Sequence, residues 1–363
     1  MTSRIAPESL APESLAAVFR RLIASTGPIS LMHYMGEANA RYYASRDPLG
    51  STGDFVTAPE ISQMFGELIG LWLADMWSNA GQPVPVHYVE LGPGRGTLAS
   101  DALRAARRFG LEPQVHLVET SPALTGLQKA KLPQAQWHYD LSTVPQDGPI
   151  LLVANEFLDA LPVRQLVKTA NGWRERMVVP DGERFMCIAG DRPMDAAVPE
   201  ARREADPGTI IEVCPGAAAV VDEVAGRLTA QGGAALFIVY GYDTVRCGST
   251  LQAVRAHQKV DPFLDPGEAD LTALVDFATL VPIAQERGCR WLGTAAQGRW
   301  LQDLGIDARA AALAKSAPDQ AEAIESARHR LVSTEQMGTL FKVMALAAPG
   351  WPSGAGFQAR PAD

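Results

Sequence analysis

The chain lacks most of what would mark a secreted, membrane-embedded or nucleic-acid-binding protein. Its 363 residues hold four cysteines, Cys187, Cys214, Cys247 and Cys289, and no two are spaced as C-x-x-C. That argues against a zinc knuckle or a disulfide framework and suits a reducing compartment. The six histidines, His33, His87, His116, His138, His257 and His329, show no metal-ligand spacing, so no metal is expected. No apolar run approaches the ~18 residues needed to span a bilayer. The first residues carry neither a signal-peptide core nor the Arg-rich, acid-poor character of a transit peptide. Together with the free cysteines this predicts a cytoplasmic protein. Basic residues number 32 against 41 acidic ones, a net charge of −9, which disfavours a nucleic-acid partner and mildly favours a basic substrate segment. No sustained repeat or heptad is present. A tandem Ala-Pro-Glu-Ser-Leu, residues 6–10 and 11–15, reads as a frayed start to a helix near Leu15.

What is present is α/β patterning. Hydrophobic residues make up 47% of the chain, ordinary for a globular protein and enough for one large α/β domain with insertions or for two domains. Residues 1–80 read as a mostly helical N-terminal region. In 81–160, strands at 86–91, 114–119, 135–139 and 150–155 alternate with helices at 97–109 and near 122–131, which predicts a parallel sheet. Asn171-Gly172 between the β-rich runs Val163–Lys168 and Trp173–Val179 predicts a hairpin. A strand at Thr209–Val213 and a helix at Ala217–Thr229 follow. The segment 161–233 is too long for an ordinary crossover and is expected to form an inserted lobe. The apolar run Ala234–Tyr240 returns to the sheet, and 234–348 supplies its remainder, with Leu340–Leu346 as an edge or hairpin strand. The Gly/Ala/Pro-rich tail 349–363 is expected to be disordered.

The most informative segment is Val86-His87-Tyr88-Val89-Glu90-Leu91-Gly92-Pro93-Gly94-Arg95-Gly96-Thr97-Leu98. It reads as strand, tight turn and helix, with glycines 92, 94 and 96 allowing a sharp turn and a close ligand approach. A dinucleotide loop reads G-x-G-x-x-G/A, and here Thr97 occupies its last position. Glu119 ends the next strand 23 residues after Gly96, near the ~20-residue offset of an acid that binds ribose hydroxyls. That offset alone suits NAD as well as S-adenosyl-L-methionine (SAM).

Five blocks in register resemble the MidA-like SAM-dependent methyltransferases, relatives of a mitochondrial complex I assembly factor. They are Gly53–Glu67, Val89–Leu98, Asn155–Arg164, Gly248–Phe277 (with His257, Asp261-Pro262, Pro266-Gly267 and Asp270-Leu271-Thr272) and the pair Gln297–Ile306 and Met337–Ala345. The resemblance spans roughly residues 18–346. It implies a class I, Rossmann-like methyltransferase sheet with a helical N-terminal lid and an inserted lobe. It also implies SAM as cofactor, S-adenosylhomocysteine as product, and arginine dimethylation of a respiratory complex I subunit. The oligomeric state is open, with a homodimer as one option. One departure stands out: the family commonly reads Asp-Tyr-Gly-Tyr after its fifth strand, and here Val239 precedes Tyr240-Gly241-Tyr242.

An arginine guanidinium is always charged in water, so a site that alkylates it needs carboxylates to hold its fork and accept a proton. Glu156 and Asp159, just beyond the strand ending at Asn155, are the catalytic candidates. Their spacing predicts one side of a helical turn. The cofactor candidates are Gly92, Gly94, Gly96, Glu119, Glu90, Asp140, Asn155, Thr57 and Pro59. Glu90 could receive the SAM amino group or shape the turn. Asp140 could accept from the adenine amino group or start a turn. Asn155 sits where it could meet the methionine end. Thr57-Ala58-Pro59-Glu60 reads as a capped helix start, compatible with a lid loop Asp54–Thr57 over the cofactor. Phe65, Leu68, Trp72 and Trp77 sit at helical spacing and read as core. Two alternatives remain at this point: an NAD(P)-dependent oxidoreductase, and a non-catalytic assembly protein that keeps the fold, for which Val239 speaks.

Overall fold

Five consecutive apolar residues, Ile150 to Ala154, predict a strand covered on both faces. In the computed structural model, which describes residues 13–45, 57–244 and 246–357, the strand Ile150–Asn155 is buried along its whole length. Chain order gives α1 (Leu15–Thr26), α2 (Leu31–Ser45), α3 (Gln63–Asn79), β1 (His87–Leu91), α4 (Thr97–Ala106), β2 (Gln114–Val118), α5 (Pro122–Lys131), β3 (Gln136–His138) and β4 (Ile150–Asn155). Then come β5 (Arg164–Thr169), β6 (Gly172–Asp181), β7 (Arg184–Pro193), β8 (Ile210–Val213), α6 (Pro215–Gln231), β9 (Gly233–Tyr242), α7 (Phe277–Glu286), β10 (Arg290–Ala296) and β11 (Phe341–Ala347).

The main sheet runs β10-β11-β9-β4-β1-β2-β3, with the short strand Val275–Asp276 beside the end of β9. The strands from β9 to β3 are parallel, and β11 runs antiparallel to both β9 and β10. Leu340–Leu346 is therefore an interior strand, not an edge; the edge is β10. Alternation along β4 divides the core. Leu151 and Val153 join Leu68, Trp72, Leu98 and Ala102 on one face, while Leu152 and Ala154 join Val221, Val224, Phe237 and Leu280 on the other. Phe65, Leu68, Trp72 and Trp77 are all buried, as their helical spacing predicts. β1 and β4 are neighbours whose chains leave in opposite directions, β1 towards β2 and β4 towards β9. Ligands bind at the carboxyl ends of strands where the order reverses in this way.

The lobe is a second, antiparallel sheet. The hairpin β5–β6 forms, with Thr169 opposite Gly172 and Gly172 at φ +97°. β7 pairs with β6, and β8 pairs with β5. The lobe also draws in residues from outside the inserted segment, because Ile29–Ser30 pairs with β6. α6 belongs to the main sheet's core and not to the lobe. A small antiparallel sheet of Gln252–Arg255, Gln258–Val260 and Asp270–Thr272 packs beside the lobe.

The tail expected to be disordered is ordered as far as Phe357. The Trp72 indole N–H donates to Ala355 O at 3.1 Å, and Phe357 lies edge-on to Trp72. Apolar residues dispersed among glycines and prolines hid this contact. Residues 358–363, the tandem repeat up to residue 12 and the lid residues 54–56 lie outside the described residues.

Candidate functional site

A cavity of about 490 Å³ opens at the carboxyl ends of β1 and β4, a size suited to a nucleotide-like cofactor. The glycine loop forms its floor. Gly92, Gly94 and Gly96 have φ of +63°, +53° and +74°, the left-handed region that side chains avoid. At Gly92 a Cβ would also stand 2.9 Å from the Phe157 ring. Gly92 and Gly94 line the cavity, whereas Gly96, the N-cap of α4, turns towards Leu132 and Gln128 of α5.

Glu119 stands at the cavity wall, fixed from two sides. Its Oε1 accepts from the Ser121 amide at 2.8 Å and its Oε2 from Gln128 Nε2 at 3.1 Å. The same Gln128 nitrogen donates to Gly94 O at 2.7 Å, tying the acid to the glycine loop. A carboxylate has about four acceptor positions, so these bonds leave Glu119 capacity to accept from a ligand hydroxyl. Burial raises the Glu119 pKa, partly offset by the Ser121 and Gln128 bonds. Glu90 lines the same space. Burial pushes it up to about 7, against the pull of the Tyr88 hydroxyl, which donates to it at 2.6 Å.

On the β4 side, Glu156 adopts φ +50°, a left-handed conformation rare for a non-glycine residue and costly unless the surroundings impose it. Its amide donates to Ile238 O at 2.8 Å. Its Oε1 accepts from the Ala58 amide at 3.1 Å and from Asn155 Nδ2 at 3.3 Å. Burial pushes Glu156 up to about 8, and the charges of Asp159 and Asp270 add to this. Asp159 is raised to about 6 by burial, opposed by a hydrogen bond from Tyr240. The two acids share a field, but only Glu156 lines the cavity. Asp159 is buried behind it, in the short helical turn Leu158–Ala160. Asn155 lines the cavity, and its Oδ1 has no protein partner.

Thr57 and Pro59 line the roof, and the turn Ala58–Ile61 begins there. The expected capping box is absent: the Thr57 side chain caps nothing, and the chain breaks at Ser62, whose hydroxyl caps α3 instead. The Glu60 carboxylate accepts from the Thr97 hydroxyl at 2.5 Å. Asp140 does not reach the cavity. It is exposed and caps the turn Leu141–Thr143 through Ser142 N at 2.9 Å, which is its turn-starting role.

Reading the sequence missed Asn39, Tyr43, Thr97 and Phe157, all of which line the cavity, and it saw Glu60 only as a cap. Asn39 staples α2 to the site: its Nδ2 donates to Ala160 O and Leu271 O, and its Oδ1 accepts from Leu271 N. The Tyr43 hydroxyl donates to Asp270 at 2.8 Å. No local pattern marks Asn39 and Tyr43, because their partners lie more than a hundred residues away. Val239 is buried among apolar residues of the α6–α7 face and does not line the cavity. No helix among the described residues is long and apolar enough to cross a membrane.

Residues 68–295 match the sequence profile of a family described as S-adenosyl-L-methionine-dependent methyltransferases. The chain is 37% identical over 361 residues to the mitochondrial protein arginine methyltransferase NDUFAF7 of Xenopus laevis, covering 88% of this chain and 81% of that protein. It is 36% identical over 364 residues to the human protein of the same name, covering 89% and 81%. A solved structure from Burkholderia thailandensis, bound to S-adenosyl-homocysteine, superposes with a TM-score of 0.78 at 29% identity, covering 95% of this chain and 92% of that one. These relatives overturn the cytoplasmic location expected from the sequence, since both NDUFAF7 proteins are named as mitochondrial. The dinucleotide alternative falls with the same findings.

Proposed function

The chain belongs to the family of SAM-dependent methyltransferases, and from that premise we propose that it methylates arginine side chains of a protein, a subunit of respiratory complex I. The relatives named above as protein arginine methyltransferases support the arginine reading. The complex I subunit follows from the resemblance of the sequence blocks. The observation that carries the proposal is Glu156, a strained carboxylate on the cavity wall backed by Asp159 and Asp270. Acids raised by burial and mutual repulsion regain their charge when a cation arrives, so such a set favours a guanidinium over a neutral acceptor.

The residues present fit SAM. Glu119 has capacity to accept from a ribose hydroxyl, Glu90 has a carboxylate for an ammonium group, and the glycine loop clears the floor between them. When bound, SAM supplies an electrophilic methyl group on a sulfonium sulfur. Thr57 and Pro59 close the roof and exclude water. Through Oε2, the oxygen that Ala58 and Asn155 leave free, Glu156 accepts from the guanidinium, orients one nitrogen and takes up the proton that this nitrogen releases. Asp159, behind Glu156, raises its affinity for that proton and so makes it a stronger base.

The test is transfer of labelled methyl groups from SAM into a complex I subcomplex isolated without this protein. Wild type should label arginine, and Glu156→Gln should abolish labelling while S-adenosylhomocysteine still binds. Full transfer by Glu156→Gln would remove the assignment.

A further inference from the structure

Thr97 is the residue that separates this glycine loop from a dinucleotide loop, and its hydroxyl has a defined hydrogen-bond direction. Lys131 Nζ lies 2.6 Å from Thr97 Oγ1, and an ammonium can only donate. The hydroxyl therefore accepts from Lys131, and its own proton goes to Glu60 Oε1 at 2.5 Å. Glu60 is in the turn Ala58–Ile61, which is tied at its other end by the Ala58 amide to Glu156 Oε1 at 3.1 Å. Within the turn, the Glu60 and Ile61 amides both donate to Thr57 O, at 3.0 and 3.2 Å. One rigid turn thus bridges the first turn of α4 to the residue after β4, across the cavity that Thr57, Pro59, Glu60, Thr97 and Glu156 all line.

We propose that Thr97 is a positioning residue: through Glu60 it seats the turn Ala58–Ile61 so that the Ala58 amide fixes the Glu156 carboxylate in the cavity. This rests on the role of Glu156 given above. Three consequences follow from the geometry. The turn roofs the cofactor cavity only while both ties hold. The Ala58 N–H stabilises the charged form of Glu156, so loosening the turn raises the proton affinity of that acid. The hydroxyl is the working group, because a methyl in its place can neither donate to Glu60 nor accept from Lys131.

The experiment measures the release rate of S-adenosylhomocysteine by stopped flow, with the pH profile of kcat/KM as a second readout. Thr97→Val should release the ligand about tenfold faster, the order expected for losing a hydrogen bond to a charged acceptor. The midpoint of the rising limb of its profile, set by Glu156, should move to higher pH. Thr97→Ser should restore both. Glu60→Ala should speed release as much as Thr97→Val, with the double variant no faster than either, because the two residues act as one tie. Release by Thr97→Val at the wild-type rate would overturn the proposal, as would a Thr97→Ser variant as fast as Thr97→Val. The release measurement needs no methyl acceptor, so it stands even where the arginine reading fails.

Discussion

His87 Nδ1 lies 3.0 Å from His116 Nε2, and His116 Nδ1 lies 3.0 Å from His138 Nε2, one ring on each of three neighbouring parallel strands. The chain ends on Asp147 beyond His87 Nε2 at 2.9 Å and on the Thr143 hydroxyl beyond His138 Nδ1 at 2.8 Å. A carboxylate only accepts, so His87 donates from Nε2, and for neutral rings every other role follows. All three carry Nε2–H, and Thr143 donates to the last.

A proton added to His116 would set N–H against N–H. Burial, with the neighbouring His87 and His138, holds its pKa down to about 4. Burial and the Arg227 charge also lower His138, against the pull of Asp140. The pKa of an unfolded histidine is about 6.5. Between these values the unfolded chain binds the extra proton, so His116 makes stability fall as pH drops from about 6.5 to 4, by about 3 kcal/mol at most. Nitrogen-15 NMR should find the His116 ring neutral in the Nε2–H form at pH 7 and titrating near pH 4. A His116 ring charged at pH 6 would refute the chain.

Glu156 gives activity its own pH dependence. With its carboxyl pushed up to about 8 in the free protein, the charged form that grips a guanidinium is the minority at pH 7. kcat/KM reports free-enzyme values and should rise with pH through about 8, whereas kcat should show a lower midpoint because the bound cation favours the carboxylate. A flat kcat/KM between pH 6.5 and 9 would place the titrating acid elsewhere.

A third expectation concerns the helices behind the glycine loop. Glu67 on α3 is buried, yet it accepts from Arg309 in a fork at 2.7 and 3.0 Å and from Arg104 on α4 at 2.9 Å. Burial alone would raise its pKa, but the bonds from Arg309 and Arg104 outweigh it and leave it lowered. Its stabilisation is therefore present above its unfolded pKa and lost as pH falls through the lower folded value. Glu67→Gln should cost about 2–3 kcal/mol by urea unfolding, less than a fully buried pair because Arg104 is half-exposed. A loss below about 0.5 kcal/mol would mean that solvent already screens the cluster.

What could be read from the sequence was local. The glycine loop, the acid-ended strands and the helical spacing of Phe65, Leu68, Trp72 and Trp77 follow from short-range sterics and periodicity. Glu119 and Glu156 could be placed because each follows a strand end in the parallel sheet. Asn39, Tyr43 and the histidine chain could not, since their partners meet only after the sheet closes. Asp140 misled for the opposite reason: a strand-end acid is also a common turn-starter, and here Ser142 claims it. β7 was missed because its exposed face, with Met186 and Ile188 outward, blurs the alternation that marks a strand.

Val239 tests whether the missing family acid silences this chain. The side chain is 1% exposed and packs with Leu158, Phe277 and Leu280, away from the cavity. Its cross-strand neighbour on β11 is Lys342, so an aspartate there would have one half-buried cation within reach and apolar atoms elsewhere. Val239→Asp should therefore lower stability by about 1–3 kcal/mol, the cost of burying a poorly paired polar group. S-adenosylhomocysteine affinity and methyl transfer should stay at wild-type levels below the melting temperature. A large gain in transfer would show that the acid acts on the site through β9 and that valine had weakened the enzyme. Unchanged transfer would leave position 239 a matter of packing and remove the sequence's best argument for a non-catalytic scaffold.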